Sequence, residues 1–175
     1  MPPVANATVK ETPIPSYDYY DEEFNLGIVI EGDQQLKQNV TNLIRTWKEA
    51  TLDDYRDKYP YAPKKIVRSN DDRFNWYGGA VDDDEIGLAK INEIRGGSDD
   101  IKTRLSGVVD MEAEFGNAKR SKTGVKFNSG YDSEMDVNKR KAEYSVRVGL
   151  WTQKQADNYL ENISKRLNPN GTYKN

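Results

Sequence analysis

The chain has 175 residues, a formal net charge of −3, and neither histidine nor cysteine. These absences exclude imidazole-based catalysis, thiol-based catalysis and a disulfide framework. Leu, Ile, Val and Phe make up only 20% of the residues, which predicts a thin hydrophobic core, so we expect one small domain that carries long arms.

The first 31 residues contain four of the seven prolines, which forbid a continuous helix. We therefore predict an extended acidic arm over residues 1–31. The β-branched run at 26–30 is interpreted as one strand, paired either within its own domain or with a partner chain. Predicted partner contacts on the arm are the aromatic residues Tyr17, Tyr19, Tyr20 and Phe24.

Helical spacing begins after Asp33, a good N-cap residue, and a second short helix is predicted from Thr51 to before Pro60. A short strand is expected at 65–68. The apolar face of the first helix comprises Leu36, Val40, Leu43, Ile44 and Trp47. The aromatic side chains expected to pack in the core are Trp47, Tyr55, Tyr59 and Tyr61.

Residues 60–82 contain prolines and glycines and are predicted to form an irregular connection. Phe74, Trp76 and Tyr77 lie in this connection. They either plug the end of the helical core or anchor a partner, because large aromatic side chains bury much area at low entropic cost.

Two more helices are predicted at 83–95 and 99–115, the second capped by Ser98. Residues 116–131 are basic and contain glycine, which indicates a loop. The apolar face predicted for the helix at 83–95 comprises Ile86, Leu88, Ile91 and Ile94. The face predicted for the helix at 99–115 comprises Ile101, Leu105, Val108 and Val109.

The last third, residues 132–175, predicts a helical hairpin and a tail. Thr152 and Gln155 have the spacing of a capping box, and Trp151 precedes them as a further candidate contact residue. The fold class is therefore predicted to be mainly α: a small helical core over 32–115, the arm, irregular aromatic loops, the basic loop at 116–131 and the C-terminal helical hairpin.

The candidate sites are few, and no catalytic residue, cofactor or metal is predicted. We interpret the acidic residues as solvated charges: Asp110, Glu112 and Glu114, and the acidic runs at 82–85 and 99–100. Carboxylates are also the only side chains in this sequence that are suited to bind a hard metal ion. Predicted nucleic-acid contacts are Lys119, Arg120, Lys122 and Lys126, although the sequence pI near 5.2 argues against a dedicated binder.

Net charge alternates in four blocks that end at residues 35, 70, 114 and 175, with acidic blocks first and third. Such blocks neutralise each other within one fold or between copies. We therefore favour a non-enzymatic structural or assembly protein, such as a neck, adaptor, connector or tail component of a virion, that contacts itself or other structural proteins as an oligomer.

Two alternatives remain open: a nucleic-acid-associated or regulatory binding protein that uses residues 119–126, and a carboxylate-dependent metal hydrolase. No membrane-spanning run and no classical secretory signal is found. We expect a location in the cytoplasm or in a virion.

Overall fold

A computed structural model describes residues 16–69, 79–82 and 84–175. This part of the chain is mostly helical, in agreement with the predicted class. The strands are β1 (Tyr19–Asp21), β2 (Leu26–Glu31), β3 (Lys65–Arg68), β4 (Gly79–Asp82) and β5 (Glu85–Leu88). The helices are α1 (Gln34–Ala50), α2 (Leu52–Lys58), α3 (Lys90–Gly96), α4 (Ile101–Lys122), α5 (Gly130–Arg147) and α6 (Gln153–Arg166), with a 3-10 turn at Tyr59–Tyr61. None of the helices in these ranges is long and apolar enough to cross a membrane.

The five strands form one sheet in the order β1-β2-β3-β5-β4, in which β2, β3 and β5 are parallel and the two edge strands are antiparallel. Ile30, Ile66 and Ile86 are paired side by side across the parallel strands and are fully buried. They pack in the same core as apolar residues of α1 and α4. The strands predicted at 26–30 and 65–68 are thereby confirmed as β2 and β3, whereas β1, β4 and β5 were not predicted.

Residues 16–31 form the β1-β2 hairpin of this sheet rather than the predicted extended arm, and the strand at 26–30 pairs within its own domain. Asn25 adopts a left-handed backbone conformation, φ 51°, in the turn, and asparagine tolerates this region better than most residues. Ile28 and Ile30 are completely buried. Burial of these two side chains favours packing of the segment on its own domain rather than extension into solvent. Residues 1–15 lie outside the described residues.

The first predicted helix is confirmed as α1. The carboxylate of Asp33 accepts a 2.9 Å hydrogen bond from the backbone N–H of Leu36, as an N-cap does. All five apolar residues predicted for its face are fully buried, and α2 ends at Lys58 before Pro60. Of the predicted aromatic core residues, Trp47, Tyr55 and Tyr59 are fully buried, whereas Tyr61 is half-buried.

The single helix predicted at 83–95 is wrong, because Glu85–Leu88 is strand β5 and the helix, α3, begins at Lys90. Ile86 and Leu88 reach the core from the strand. Ile91 and Ile94 face solvent, with 51% and 59% of their surface exposed. Their helical spacing is real, but the apolar stripe that it defines does not point to the core.

The predicted loop at 116–131 is also wrong over most of its length. Helix α4 runs from Ile101 to Lys122, α5 begins at Gly130, and only residues 123–129 connect them. The N-cap of α4 is Asp100, which accepts a 3.0 Å hydrogen bond from the N–H of Thr103, rather than Ser98. Neighbouring elements surround α4, so it is buried on nearly every side from Leu105 to Ala118 and becomes the central helix.

The C-terminal helical hairpin is confirmed as α5 and α6. Both reciprocal hydrogen bonds of the capping box are present: Gln155 N–H to Thr152 Oγ1 at 3.1 Å and Thr152 N–H to Gln155 Oε1 at 2.8 Å. The tail then folds back on the hairpin, since Leu167 pairs with Tyr173 and the N–H of Lys174 donates to the carbonyl of Arg166 at 2.7 Å.

Candidate functional site

The aromatic residues predicted as partner contacts on the β1-β2 hairpin divide into two groups. Tyr17 and Tyr20 are exposed and stack on each other, with ring centroids 5.7 Å apart. Tyr19 and Phe24 pack against the buried ring of Tyr59, at 5.7 and 6.0 Å. The second group therefore stabilises the domain itself. Phe74, Trp76 and Tyr77 lie outside the described residues.

Three of the four predicted nucleic-acid contacts are held by atoms of the same chain. Lys119 and Arg120 form ion pairs with carboxylates of α2 and α5, at 2.7 and 2.6 Å. Lys122 donates to two backbone carbonyls at the end of the 3-10 turn, each at 3.2 Å. Lys126 is exposed in the connection after α4. Lys119, Arg120 and Lys122 therefore connect elements of the domain rather than standing free on a basic surface.

The interpretation of Glu112 as a solvated charge is wrong, because it lies in the middle of α4 and is 1% exposed. Its Oε1 accepts a hydrogen bond from the ammonium of Lys58, whereas Oε2 is buried and, among the described residues, lacks a hydrogen-bond partner. Burial raises the pKa of Glu112 to about 7, against the opposing attraction of Lys58.

The interpretation of Glu114, on the same helix, as a solvated charge is also wrong. It is 4% exposed, and its hydrogen bond from Asn117 is long, at 3.4 Å. Burial raises its pKa to about 7 as well. Across residues 16–69, 79–82 and 84–175, no three side chains of the Asp, Glu, His or Cys type come together in a set that could hold a metal ion.

A group of exposed isoleucines, here called the isoleucine patch, lies on the α3-α4 hairpin. Ile91 and Ile94 are one turn apart on α3, and Ile101, the first residue of α4, is 50% exposed. Helices α3 and α4 pack against each other, which places Ile94 and Ile101 at the same end of the hairpin. Clustered exposed apolar side chains mark interaction surfaces more often than scattered ones do.

Exposed charges of both signs flank this patch. Lys90 and Lys102 supply positive charge, and Asp99 and Asp100, in the turn between the two helices, supply negative charge. An apolar centre with a charged rim is the usual arrangement of a protein-protein contact. The patch was not predicted as a surface, because the same isoleucines satisfy the spacing of a core face.

A cleft of about 410 Å³, here called the hairpin cavity, lies where α3 and α4 meet the α5-α6 hairpin and the tail. Its walls combine aromatic, apolar and charged groups, and they include Trp151, which the sequence analysis had singled out. The lining residues are Arg95, Ser106, Val109, Asp110, Asn138, Lys141, Ser145, Leu150, Trp151, Tyr159 and Tyr173.

Close helix packing positions the charged side of this cavity. A Cβ added at Gly107 would lie 2.9 Å from the Cβ of Arg95, so the glycine permits the approach of α4 to α3 at the place where Arg95 emerges. Lys141 of α5 reaches across to Asp110 of α4, with Nζ and Oδ1 3.2 Å apart. Asp110 also accepts a 2.7 Å hydrogen bond from Asn92.

The polar floor of the cavity was missed by the sequence analysis, although a signal for it exists. Asn138, Lys141 and Ser145 are spaced three and four residues apart, which places them on one face of α5, and all three are buried. A buried polar stripe on a helix requires internal hydrogen-bond partners or a ligand. The spacing indicates the shared face, and the structure adds that this face is buried and borders the cavity.

Comparison of the chain with models of protein families, with characterised proteins and with solved structures gave no match.

Proposed function

We propose that this chain is a non-enzymatic structural or assembly protein that acts through protein-protein contacts, and that its primary contact is with a second copy of itself at the isoleucine patch. The observation that carries the proposal is the exposure of Ile91, Ile94 and Ile101, each about half in solvent, on the α3-α4 hairpin of a chain with few large apolar residues. Covering them would remove apolar surface from water.

The charges around the patch favour a second copy as the occupant. In a two-fold contact the same surface meets itself, so a rim that carries both signs allows the lysines of one copy to face the aspartates of the other. Lys90 and Lys102 together with Asp99 and Asp100 meet this requirement. The formal charge of −3 also keeps general repulsion between two copies small.

The N-terminal arm has a smaller part in this proposal than the sequence suggested, because residues 16–31 pair within their own sheet. A narrower role as a minor virion component, such as a neck, adaptor, connector or tail protein, belongs to the same proposal. It is supported by composition: the chain is polar, lacks cysteine and has few large apolar residues with which to build a core.

The alternative functions receive less support from the arrangement of side chains. Single-strand grooves need free cations beside exposed rings, whereas Lys119, Arg120 and Lys122 are bonded within the chain. The carboxylates with raised pKa, Glu112 and Glu114, are 1% and 4% exposed, and within the described residues they belong to no group of three acidic side chains that could hold a metal ion.

The test is substitution of Ile94 by lysine, with Val125→Lys as the matched control. Val125 is 47% exposed, close to the 59% of Ile94, but it lies in the connection after α4. We expect light scattering during gel filtration to show a dimer for the native chain and for Val125→Lys, and a monomer for Ile94→Lys. A native chain that remains monomeric, or an Ile94→Lys variant that remains dimeric, would contradict the proposal.

A further inference from the structure

We infer that the hairpin cavity binds a small planar aromatic molecule that carries an anionic group. This site is independent of the isoleucine patch, because none of the three isoleucines lines the cavity. The inference therefore goes beyond assembly and does not depend on it.

The size of the cavity suits a small molecule. A volume of about 410 Å³ lies within the range of about 300–1,000 Å³ that is usual for ligand pockets. The walls also have the usual composition of such pockets, since apolar and aromatic side chains surround a few polar groups. Leu150 and Val109 supply the aliphatic part of the surface.

The aromatic wall favours a flat ligand. The ring of Trp151 lies 4.9 Å from the ring of Tyr159 at an angle of 54°, and both line the cavity. Tyr173 adds a third ring, and the guanidinium of Arg166 lies 5.5 Å from that ring. Aromatic rings bind best to other flat π systems, in stacked or edge-to-face contact.

Arg95 supplies the charge that selects an anion. Within the described residues its guanidinium donates to the neutral amide of Asn92, at 3.1 Å, and no carboxylate lies within ion-pair distance of it. The neighbouring charges of Lys141 and Asp110 pair with each other at 3.2 Å. The lining is therefore left with one net positive charge, and a guanidinium binds carboxylates and phosphates in a bidentate manner.

The remaining polar groups are already fixed, so the site is built before any ligand enters. Tyr173 donates its hydroxyl proton to Glu134 at 2.9 Å, and Tyr159 donates to the buried amide oxygen of Asn138. Ser106 and Ser145 donate to carbonyls of their own helices at 2.6 and 2.8 Å, which leaves their oxygens able to accept hydrogen bonds. Preorganisation of this kind lowers the entropic cost of binding.

Two classes of molecule combine a flat ring with an anionic group: nucleoside monophosphates and aromatic carboxylates. The experiment tests one molecule of each class. The labelled protein is titrated with adenosine monophosphate and with indoleacetate, and the indole N–H signals of the tryptophans are followed by nuclear magnetic resonance. Adenosine and indole, which lack the anionic group, are the matched neutral probes. Trp47, whose indole donates to Asp54 at 2.8 Å within the core, is the internal control.

We expect at least one anionic probe to move the Trp151 signal and leave the Trp47 signal in place. Arg95→Gln should weaken that binding about tenfold, as loss of a charged hydrogen bond does. Lys154→Gln, which removes an exposed cation of α6 that does not line the cavity, should leave it unchanged. Ser106→Phe, which fills the cavity, should abolish binding and serves as the test if Arg95→Gln fails to fold.

Three results would overturn the inference. The first is no movement of the Trp151 signal with either anionic probe at millimolar concentration. The second is equal affinity for the anionic and neutral members of a pair. The third is unchanged binding in folded Arg95→Gln or folded Ser106→Phe. Binding by only one of the two anionic probes would support the inference and identify the source of the ligand.

Discussion

The hydroxyl of Tyr55 donates a 2.6 Å hydrogen bond to Oδ2 of Asp21, and this bond connects the N-terminal hairpin to helix α2. The ammonium of Lys48 in α1 reaches the same oxygen at 3.0 Å. Burial tends to raise the pKa of Asp21, but the hydrogen bonds from Tyr55 and Lys48 outweigh it and keep the pKa below the usual value. One buried carboxylate thus holds the β1-β2 hairpin against two helices.

Asp21→Ala is expected to lower the free energy of unfolding by about 2–4 kcal/mol, because it leaves the Tyr55 hydroxyl without its buried acceptor and Lys48 without its partner. Urea unfolding followed by circular dichroism measures the loss. The control is Glu22→Gln, one residue away and exposed, which should change the free energy by less than about 0.5 kcal/mol. Equal values for the two variants would mean that the hairpin is not held by Asp21.

The two buried glutamates of α4 predict that stability falls as the pH rises from about 5 to 8. Glu112 and Glu114 have pKa values of about 7 in the folded chain, above the value of 4.5 for a free glutamate. Between these values the folded chain holds more protons than the unfolded chain, so raising the pH favours unfolding. We expect a decrease of about 2 kcal/mol or more between pH 5 and pH 8, measured by urea unfolding at each pH.

Glu114→Gln separates this effect from other pH dependence. The neutral side chain removes the cost of a buried charge, so the variant should be more stable than the native chain at pH 8, by about 1–3 kcal/mol, and nearly equal to it at pH 5. Glu49→Gln, an exposed position on α1, is the control and should follow the native curve. A Glu114→Gln variant with the native pH dependence would show that Glu114 titrates normally.

The capping box at the start of α6 gives a third prediction. Thr152→Ala removes the side chain that accepts from the N–H of Gln155, and it should cost about 1 kcal/mol. Since the two residues cap each other, adding Gln155→Ala should cost less than the sum of the single losses. Gln153→Ala, exposed in the same turn, is the control. Strictly additive losses in urea unfolding would contradict a reciprocal box.

Single-stranded DNA distinguishes assembly from nucleic-acid binding. Because Lys119, Arg120 and Lys122 are bonded within the chain, we expect no retention of labelled single strands in a filter-binding assay at physiological salt. Weak retention at low salt would reflect general electrostatics. Tight retention at physiological salt that is lost in Lys119→Gln and Lys122→Gln would instead support the nucleic-acid alternative.

Elements with complete local signals could be predicted from the sequence. Helix α1 has an N-cap, Asp33, and a full apolar face, and α6 has its capping box, so the boundaries of both follow from short-range chemistry. The strand at 65–68 is β-branched at its centre. In these segments the local conformational preference and the tertiary contacts agree, so the sequence alone was enough to predict them.

The remaining elements depend on contacts that a local pattern does not contain. Ile86 and Leu88 lie two residues apart, as in a strand, but Ile91 and Ile94 continue the run at helical spacing, and no glycine or proline separates the strand from the helix. The burial of Glu112 follows from the packing of other elements on all sides of α4. No charge pattern along the chain reveals it.

The candidate sites show the same limit. Trp151 was identified from the sequence, but its companions in the hairpin cavity come from α3, α4, α5 and the tail. The isoleucine patch could not be identified, because an apolar stripe is equally consistent with a core face and with a contact surface. The packing of α3 against α1 and α4 determines which side of α3 remains uncovered.

Sedimentation equilibrium of the native chain at physiological salt measures whether two copies associate through the isoleucine patch. We expect a mass that approaches about 40 kDa, twice the chain mass of 20.0 kDa, at micromolar concentration, and a return to 20.0 kDa in Ile94→Lys. A native chain that sediments at 20.0 kDa at every concentration would contradict self-assembly through the isoleucine patch.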